Sequence, residues 1–290
     1  MSDTAVIDAL SPPLSELDRL DARFPARRVA VGGDAVVSVR ECGKGPALVC
    51  LHGIGSGAAS WLDTASLLAP RARLIAWDAP GYGESTPVES AVPSAADYAA
   101  RLLGLLDALE IESCVLVGHS LGALTAASAA RADSPLAPRI RRLVLISPAA
   151  GYGAPGRGDD RKRVHTERMD TLAQFGIVGM AAKRSGRLLS DNASELARQW
   201  VRWNMSRLND AGYRQAVELL CGGDLLADLP PATPVRVACG ALDVVTPPAG
   251  CAEVAQKCGV SLELIEGAGH ASYVEQPVAV AAILRDALSA

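Results

Sequence analysis

Gly118-His119-Ser120-Leu121-Gly122 sets one hydroxyl between two glycines, directly after the apolar run Cys114–Val117 and ahead of Ala123, Leu124, Thr125 and Ala126. Strand, sharp turn, helix is the setting in which a serine becomes a nucleophile. The turn strains the backbone and lifts Oγ clear of the sheet, and the helix N-terminus points positive partial charge at any oxyanion that forms. Glycines on either side avoid side-chain collisions at such a turn, and Ala123, Ala126, Ala127 and Ala130 let the helix pack close. The plain alternative is an ordinary strand-to-helix connection, so the reading depends on what else the chain positions near Ser120.

The positioning elements are legible as short apolar runs: Ala47–Leu51, Leu74–Trp77, Cys114–Val117, Leu143–Ile146, Val235–Cys239 and Leu262–Ile265. Continuous apolar runs of this length suit parallel strands covered on both faces. Two β-like runs between Val29 and Arg40 flank Gly32-Gly33-Asp34, a spacer suited to a hairpin. Helical patterns lie between several runs. In the clearest, Ser94 and Asp97 form a variant capping box, and Tyr98, Leu102, Leu105, Leu106 and Leu109 share one face. This alternation predicts an α/β fold with a mostly parallel sheet and right-handed crossovers.

The alternation stops between about 152 and 228, where Arg157–Arg163 is strongly charged and the rest reads as helix. There Leu196, Trp200 and Trp203 form one apolar stripe, and Val201, Met205 and Leu208 another, about 140° away at helical spacing. Such a helix touches the main domain and a pocket, or two sides of one helical core. The expected organisation is an N-terminal arm at 1–28, a core domain at 29–151 and 229–290, and an inserted helical cap at 152–228.

Bulk properties narrow the function. The 290 residues suffice for one large domain with an insertion, and 49% are hydrophobic against 21% charged, enough for a substantial core. A formal net charge of −4 supplies no field for nucleic acid or an anionic membrane. The seven cysteines are an odd number without a CxxC pair, so free thiols are expected rather than a zinc site or a disulfide frame. The chain starts without a basic segment or an apolar h-region and carries no run long enough to span a bilayer, so a cytoplasmic location is expected. Whether copies associate as a homo-oligomer is open.

With Leu51-His52-Gly53-Ile54-Gly55 after one strand, Asp78-Ala79-Pro80-Gly81-Tyr82-Gly83-Glu84-Ser85 after the next and the serine turn after a third, the chain resembles the α/β-hydrolase superfamily. The resemblance covers most of 29–150 and 230–290. It implies an eight-stranded, mostly parallel sheet flanked by helices, with the triad in the chain order serine, acid, histidine. His52 reads as a turn residue, His119 adjoins the serine on the neck of its turn, and His165 lies in the charged start of the cap. That leaves His270, which follows the last strand in Glu266-Gly267-Ala268-Gly269-His270, as the candidate base. Asp243, just past the penultimate strand run, is the candidate acid. Asp224 and Asp228 precede that run, and Ser147-Pro148 occupies the other place an acid could stand. The backbone N–H of Leu121, next to the nucleophile, and that of Ile54, by the resemblance, are the candidate oxyanion donors. Trp61 reads as core or as pocket wall.

A serine at 120 disfavours the branches that use an aspartate nucleophile. Carbon–carbon hydrolases of aromatic degradation show asparagine before the serine and tryptophan after the histidine, whereas His119 and Ala271 stand here. The stretches His270–Pro277 and Arg207–Ala216 are similar to 3-oxoadipate enol-lactonases and small esterases. The resemblance therefore implies a small-molecule substrate, an ester, lactone or amide of a small carboxylic acid, with no metal or organic cofactor. Arg202, Arg207 and Arg214 are candidate partners for a substrate carboxylate, though a solvated or ion-paired role is the plainer reading of each. A receptor that kept the fold without turnover, or acyl transfer to an acceptor other than water, would share these motifs.

Overall fold

Side chains alternate between two hydrophobic layers along the central strands, and this alternation organises the molecule. The computed structural model describes residues 11–289. Strands β1 (Ala26–Ala30), β2 (Val36–Cys42), β3 (Ala47–Leu51), β4 (Arg73–Trp77), β5 (Cys114–His119), β6 (Ile140–Ile146), β7 (Val235–Gly240) and β8 (Leu262–Ile265) form one sheet in the order β1-β2-β4-β3-β5-β6-β7-β8. β1–β2 and β2–β4 pair antiparallel, and every other pair is parallel. Every residue of β3 and β5 is buried, as expected of parallel strands covered on both faces.

On one face Leu48, Cys50, Leu74, Val115 and Val117 pack with helices α1 (Leu14–Arg23), α2 (Leu62–Leu68) and the C-terminal α10 (Pro277–Ser289). On the other, Val49, Leu51, Ile75 and Leu116 meet α3 (Ala95–Ala108) and α4 (Gly122–Ala129). Ser94 and Asp97 do form a capping box on α3. The chain joins the core earlier than residue 29: β1 begins at Ala26, and Leu20 and Phe24 are fully buried beneath α2. Their apolar side chains secure a stretch whose prolines and charges read as an arm. Residues 1–10 of that arm lie outside the described residues.

Between β6 and β7 the chain is helical: α5 (Gly158–Arg184), α6 (Glu195–Ser206) and α7 (Asp210–Gly222). Helix α8 (Pro248–Lys257) and the short α9 (Ser272–Glu275) complete the set. Ser194 caps α6 and Asn209 caps α7 through their side chains. Helix α5 breaks at Gly176, whose φ of 60° and ψ of −176° only glycine adopts easily. The two stripes of α6 separate as two contacts. Trp200 and Trp203 join the layer containing Trp61 and Tyr273, while Val201 and Met205 line a cavity. All seven cysteines are free, five of them buried. Among the described residues no helix is long and apolar enough to cross a membrane.

Candidate active site

Ser120 sits between β5 and α4 with a φ of +52°, a backbone state that non-glycine residues rarely adopt. Three backbone hydrogen bonds hold it there. Its N–H donates to Ile146 O at 3.1 Å, and its carbonyl accepts from Ala123 N at 3.0 Å and Ala149 N at 3.1 Å. The flanking glycines are required by close packing. A Cβ on Gly118 would lie 2.8 Å from Ala123 Cα, and one on Gly122 would lie 2.5 Å from Leu51 O. Gly53 has the same role on the neighbouring loop, where a Cβ would meet Ser120 Cβ at 2.9 Å. The backbone of His52-Gly53-Ile54 can therefore pass beside the serine.

Ser120, His270, Ile54 and Leu121 all line one cavity of about 460 Å³. His270 Nδ1–H donates to Asp243 Oδ2 at 2.8 Å, and both side chains are almost fully buried. Asp243 Oδ1 accepts from Val245 N at 2.7 Å and Thr246 N at 3.0 Å. Burial opposes ionisation of this carboxyl, but the hydrogen bond and charge of His270 and the two backbone donors outweigh it and hold the pKa at about 2. The carboxylate thus orients the ring through its Nδ1–H. Ser120 Oγ and His270 Nε2 have no hydrogen-bond partner among the described residues. Such contacts commonly tighten only when substrate is bound. The N–H groups of Ile54 and Leu121 are likewise unpaired among the described residues, while Tyr82 Oη fixes the Ile54 carbonyl at 2.9 Å.

The other histidines occupy structural positions. His52 Nε2 accepts from Ala79 N at 2.9 Å, tying the loop after β3 to the loop after β4. Asp78 on that second loop accepts from Ala58 N and Ser38 Oγ, both at 2.9 Å. His165 pairs with Glu218 at 2.7 Å on the helical segment. His119 Nε2–H donates to the His270 carbonyl at 2.9 Å, and the two rings lie 4.7 Å apart. Burial and the adjacent His270 push its pKa down to about 3, so it supports the His270 loop as a neutral ring. Asp224 caps a short turn through Ala227 N, and Asp228 pairs with Arg131. Trp61 is core, stacked on Tyr273 at 4.4 Å.

Sequence reading missed two side chains. The Thr246 hydroxyl lies 3.0 Å from Asp243 Oδ2, 3.0 Å from Ser147 O and 3.1 Å from His270 Nδ1. Glu275 accepts from Gly269 N at 2.8 Å and from Ser190 Oγ at 2.6 Å, and Ala271 N donates to Leu188 O at 2.7 Å. The residues on both sides of His270 are therefore tied to the helical segment. Only the position of Thr246, three residues beyond Asp243, hinted at its part. Arg202, Arg207 and Arg214 do not line the cavity: Arg207 stacks on Trp203 and Arg214 pairs with Asp210. Five other arginines do line it, at positions 157, 163, 168, 184 and 187.

A serine on a strained turn, a carboxylate-oriented imidazole and free backbone N–H groups around one cavity are suited to base-assisted attack on a carbonyl. The chain is 29% identical over 254 residues to the pimeloyl-acyl-carrier-protein methyl ester esterase of Aeromonas hydrophila, covering 83% of this chain and 94% of that protein. It is 34% identical over 125 residues to the 2-hydroxy-6-oxo-6-phenylhexa-2,4-dienoate hydrolase of Comamonas testosteroni, 42% of each chain. In three dimensions it is similar to the enol-lactonase from Burkholderia xenovorans, with a TM-score of 0.79 at 24% identity over 90% of this chain and 100% of that one. The pattern of the alpha/beta hydrolase family matches residues 48–283. By that match the chain belongs to the alpha/beta hydrolase family.

Proposed function

We propose that the protein is a serine hydrolase that cleaves an ester, lactone or amide of a small carboxylic acid through an acyl-enzyme on Ser120. The observation that carries this reading is the buried Asp243–His270 pair at 2.8 Å on the same cavity as a serine held at positive φ. His270 Nε2 takes the Ser120 proton as Oγ attacks the carbonyl carbon. The Ile54 and Leu121 N–H groups hold the oxyanion, and Asp243 stabilises the imidazolium that forms. Collapse of the tetrahedral intermediate breaks the bond to the leaving group, which receives its proton from His270. Water then attacks the acyl-enzyme with His270 again as base, releasing the acid and restoring Ser120. No metal or organic cofactor enters these steps. The helical segment 152–228 acts as a cap that covers the cavity and selects substrates.

Steady-state hydrolysis of p-nitrophenyl acetate by the wild type and by Ser120→Ala tests the reading. The variant is expected to fall by about 10⁴-fold or more. Equal rates for the two proteins would remove Ser120 from the chemistry.

A second reading, hydrolysis of a carbon–carbon bond, draws support from the Comamonas relative. It is weakened by His119 and Ala271, which stand where such enzymes carry asparagine and tryptophan. Turnover of a vinylogous 1,5-diketone without turnover of esters would favour it.

A further inference from the structure

The cavity that holds Ser120 also has a strongly cationic lining. Five guanidiniums line the cavity against two carboxylates, Glu167 and Glu253. Arg157 and Arg163 share Asp160, at 3.3 and 2.9 Å. The remaining three belong to α5 and the turn after it. Arg168 and Arg187 have no carboxylate within ion-pair reach among the described residues, and Arg184 has only Glu167, at 3.5 Å. Arg168 Nη1–H donates to Tyr213 Oη at 3.2 Å, while its buried Nε–H has no partner. The ion pair of Arg184 with Glu167, 17 residues back along α5, spans the break at Gly176, which turns the end of the helix back on its start. Burial, and then repulsion from Arg168, lower the pKa of Arg184. Elsewhere on the cap, Arg214 is paired with Asp210 and Arg198 donates to the Asp191 carbonyl. Arg161, Arg202 and Arg207 also lack a carboxylate partner among the described residues but lie outside the cavity, whereas Arg168, Arg184 and Arg187 line it.

From this lining we infer that Arg168 and Arg184 form a carboxylate-binding subsite, and that the substrate is a small monoanion such as the half-ester of a dicarboxylic acid. The inference rests on the hydrolase reading of Ser120. Two guanidiniums and Glu167 leave one net positive charge, which a carboxylate neutralises and a neutral ester does not. A guanidinium fork also matches a carboxylate in bidentate geometry, and the half-buried setting strengthens the pairing. The subsite would anchor the remote end of the substrate while its carbonyl lies against Ser120, so binding energy from the anion orients the reacting end.

The test compares two esters of equal chain length, 4-nitrophenyl hydrogen glutarate and 4-nitrophenyl valerate. Wild type is expected to show the higher kcat/KM on the charged ester. In Arg168→Met and Arg184→Met the ratio of charged to neutral kcat/KM should fall by about tenfold to a hundredfold, mostly through KM. Arg184→Lys keeps the charge without the fork and should fall between, which guards against misfolding of the methionine variants. Arg214→Met, outside the cavity, should leave the ratio as in wild type. No preference in the wild type, or equal losses on both esters, would overturn the subsite.

Calorimetric titration of Ser120→Ala with monomethyl glutarate separates this inference from the hydrolase reading. If neither ester is turned over but Ser120→Ala binds the half-ester and Ser120→Ala/Arg168→Met does not, the hydrolase reading fails and the subsite stands. If no binding is seen either, the subsite fails as well.

Discussion

On the sheet side of the cavity, polar groups are held by fixed partners. Asp243 accepts two backbone N–H groups besides His270, His119 supports the His270 carbonyl, and Ser120 is pinned through both its N–H and its carbonyl. On the side of the helical segment between β6 and β7, Arg168 and Arg187 line the cavity without a carboxylate partner among the described residues, and Arg184 shares a distant one. Under the proposed mechanism the contrast separates two tasks. Groups that move protons need fixed geometry, which hydrogen-bonded loops at the carboxyl edge of a sheet provide. Groups that choose a ligand need unsatisfied capacity, which costs stability until the ligand arrives. Glu275 joins the two sides, because its carboxylate holds Gly269 of the histidine loop and Ser190 of the helical segment.

Disabling the fixed side should produce the largest effects. Asp243→Asn is expected to lower kcat by about 10⁴-fold, because an amide does not hold the imidazole in the required tautomer. Steady-state rates measured across pH check this. The same variant should lose an acid transition. The Asp243 carboxyl is held at about 2 in the fold against an ordinary 3.8, so its stabilisation is complete above about pH 4 and disappears as pH falls through 2. That contribution is about 2 kcal/mol, read as the difference in acid-induced unfolding between the two proteins. Matching acid curves would mean that the pair does not stabilise the fold.

Gly53→Ala should come next. Its Cβ would press on Ser120 Cβ at 2.9 Å and His119 Nδ1 at 3.0 Å, moving the Ile54 N–H away from the developing charge. A loss of about 10²-fold in kcat is expected, with a smaller change in KM. An unchanged kcat would remove Ile54 from the oxyanion site.

Glu275→Ala addresses the link between the two sides and should have the smallest effect. It leaves donors at Gly269 and Ser190 without their acceptor, so thermal or urea unfolding should show a loss of about 1–3 kcal/mol. If kcat is unaffected while stability drops, the cap and the histidine loop are joined for folding only, and the division between the two sides is sharper than the hydrogen bonds suggest.

Much of the sheet side is legible in the sequence. Short apolar runs mark six strands closely, most fully at β3 and β5, where every residue is buried. The boundaries differ where edge strands carry charge, as in Ala26–Ala30, which holds two arginines and shows one buried residue. Ser120 can be singled out because a left-handed turn wedged between strand and helix tolerates few residues beside it. Asp243 and His270 can be singled out because each follows a strand run, and strand ends meet at one edge of a parallel sheet. Thr246 and Glu275 cannot. Besides near partners at Asp243 and Gly269, each has one far along the chain, His270 at 24 residues and Ser190 at 85, and no local pattern reveals those distant contacts.

The sequence by itself determined the α/β alternation, the serine turn and the order of groups around it, since each follows from local sterics or from hydrophobic periodicity. Only the tertiary structure decided which arginines line the cavity. The helical segment holds many, and by residue type alone those on α6 and α7 are as suitable as those on α5. A helix presents a different face with every residue of rotation, and the break at Gly176 and the packing of the helical segment against its neighbours set that rotation. Both are long-range packing outcomes, which the charge pattern of a single helix does not contain.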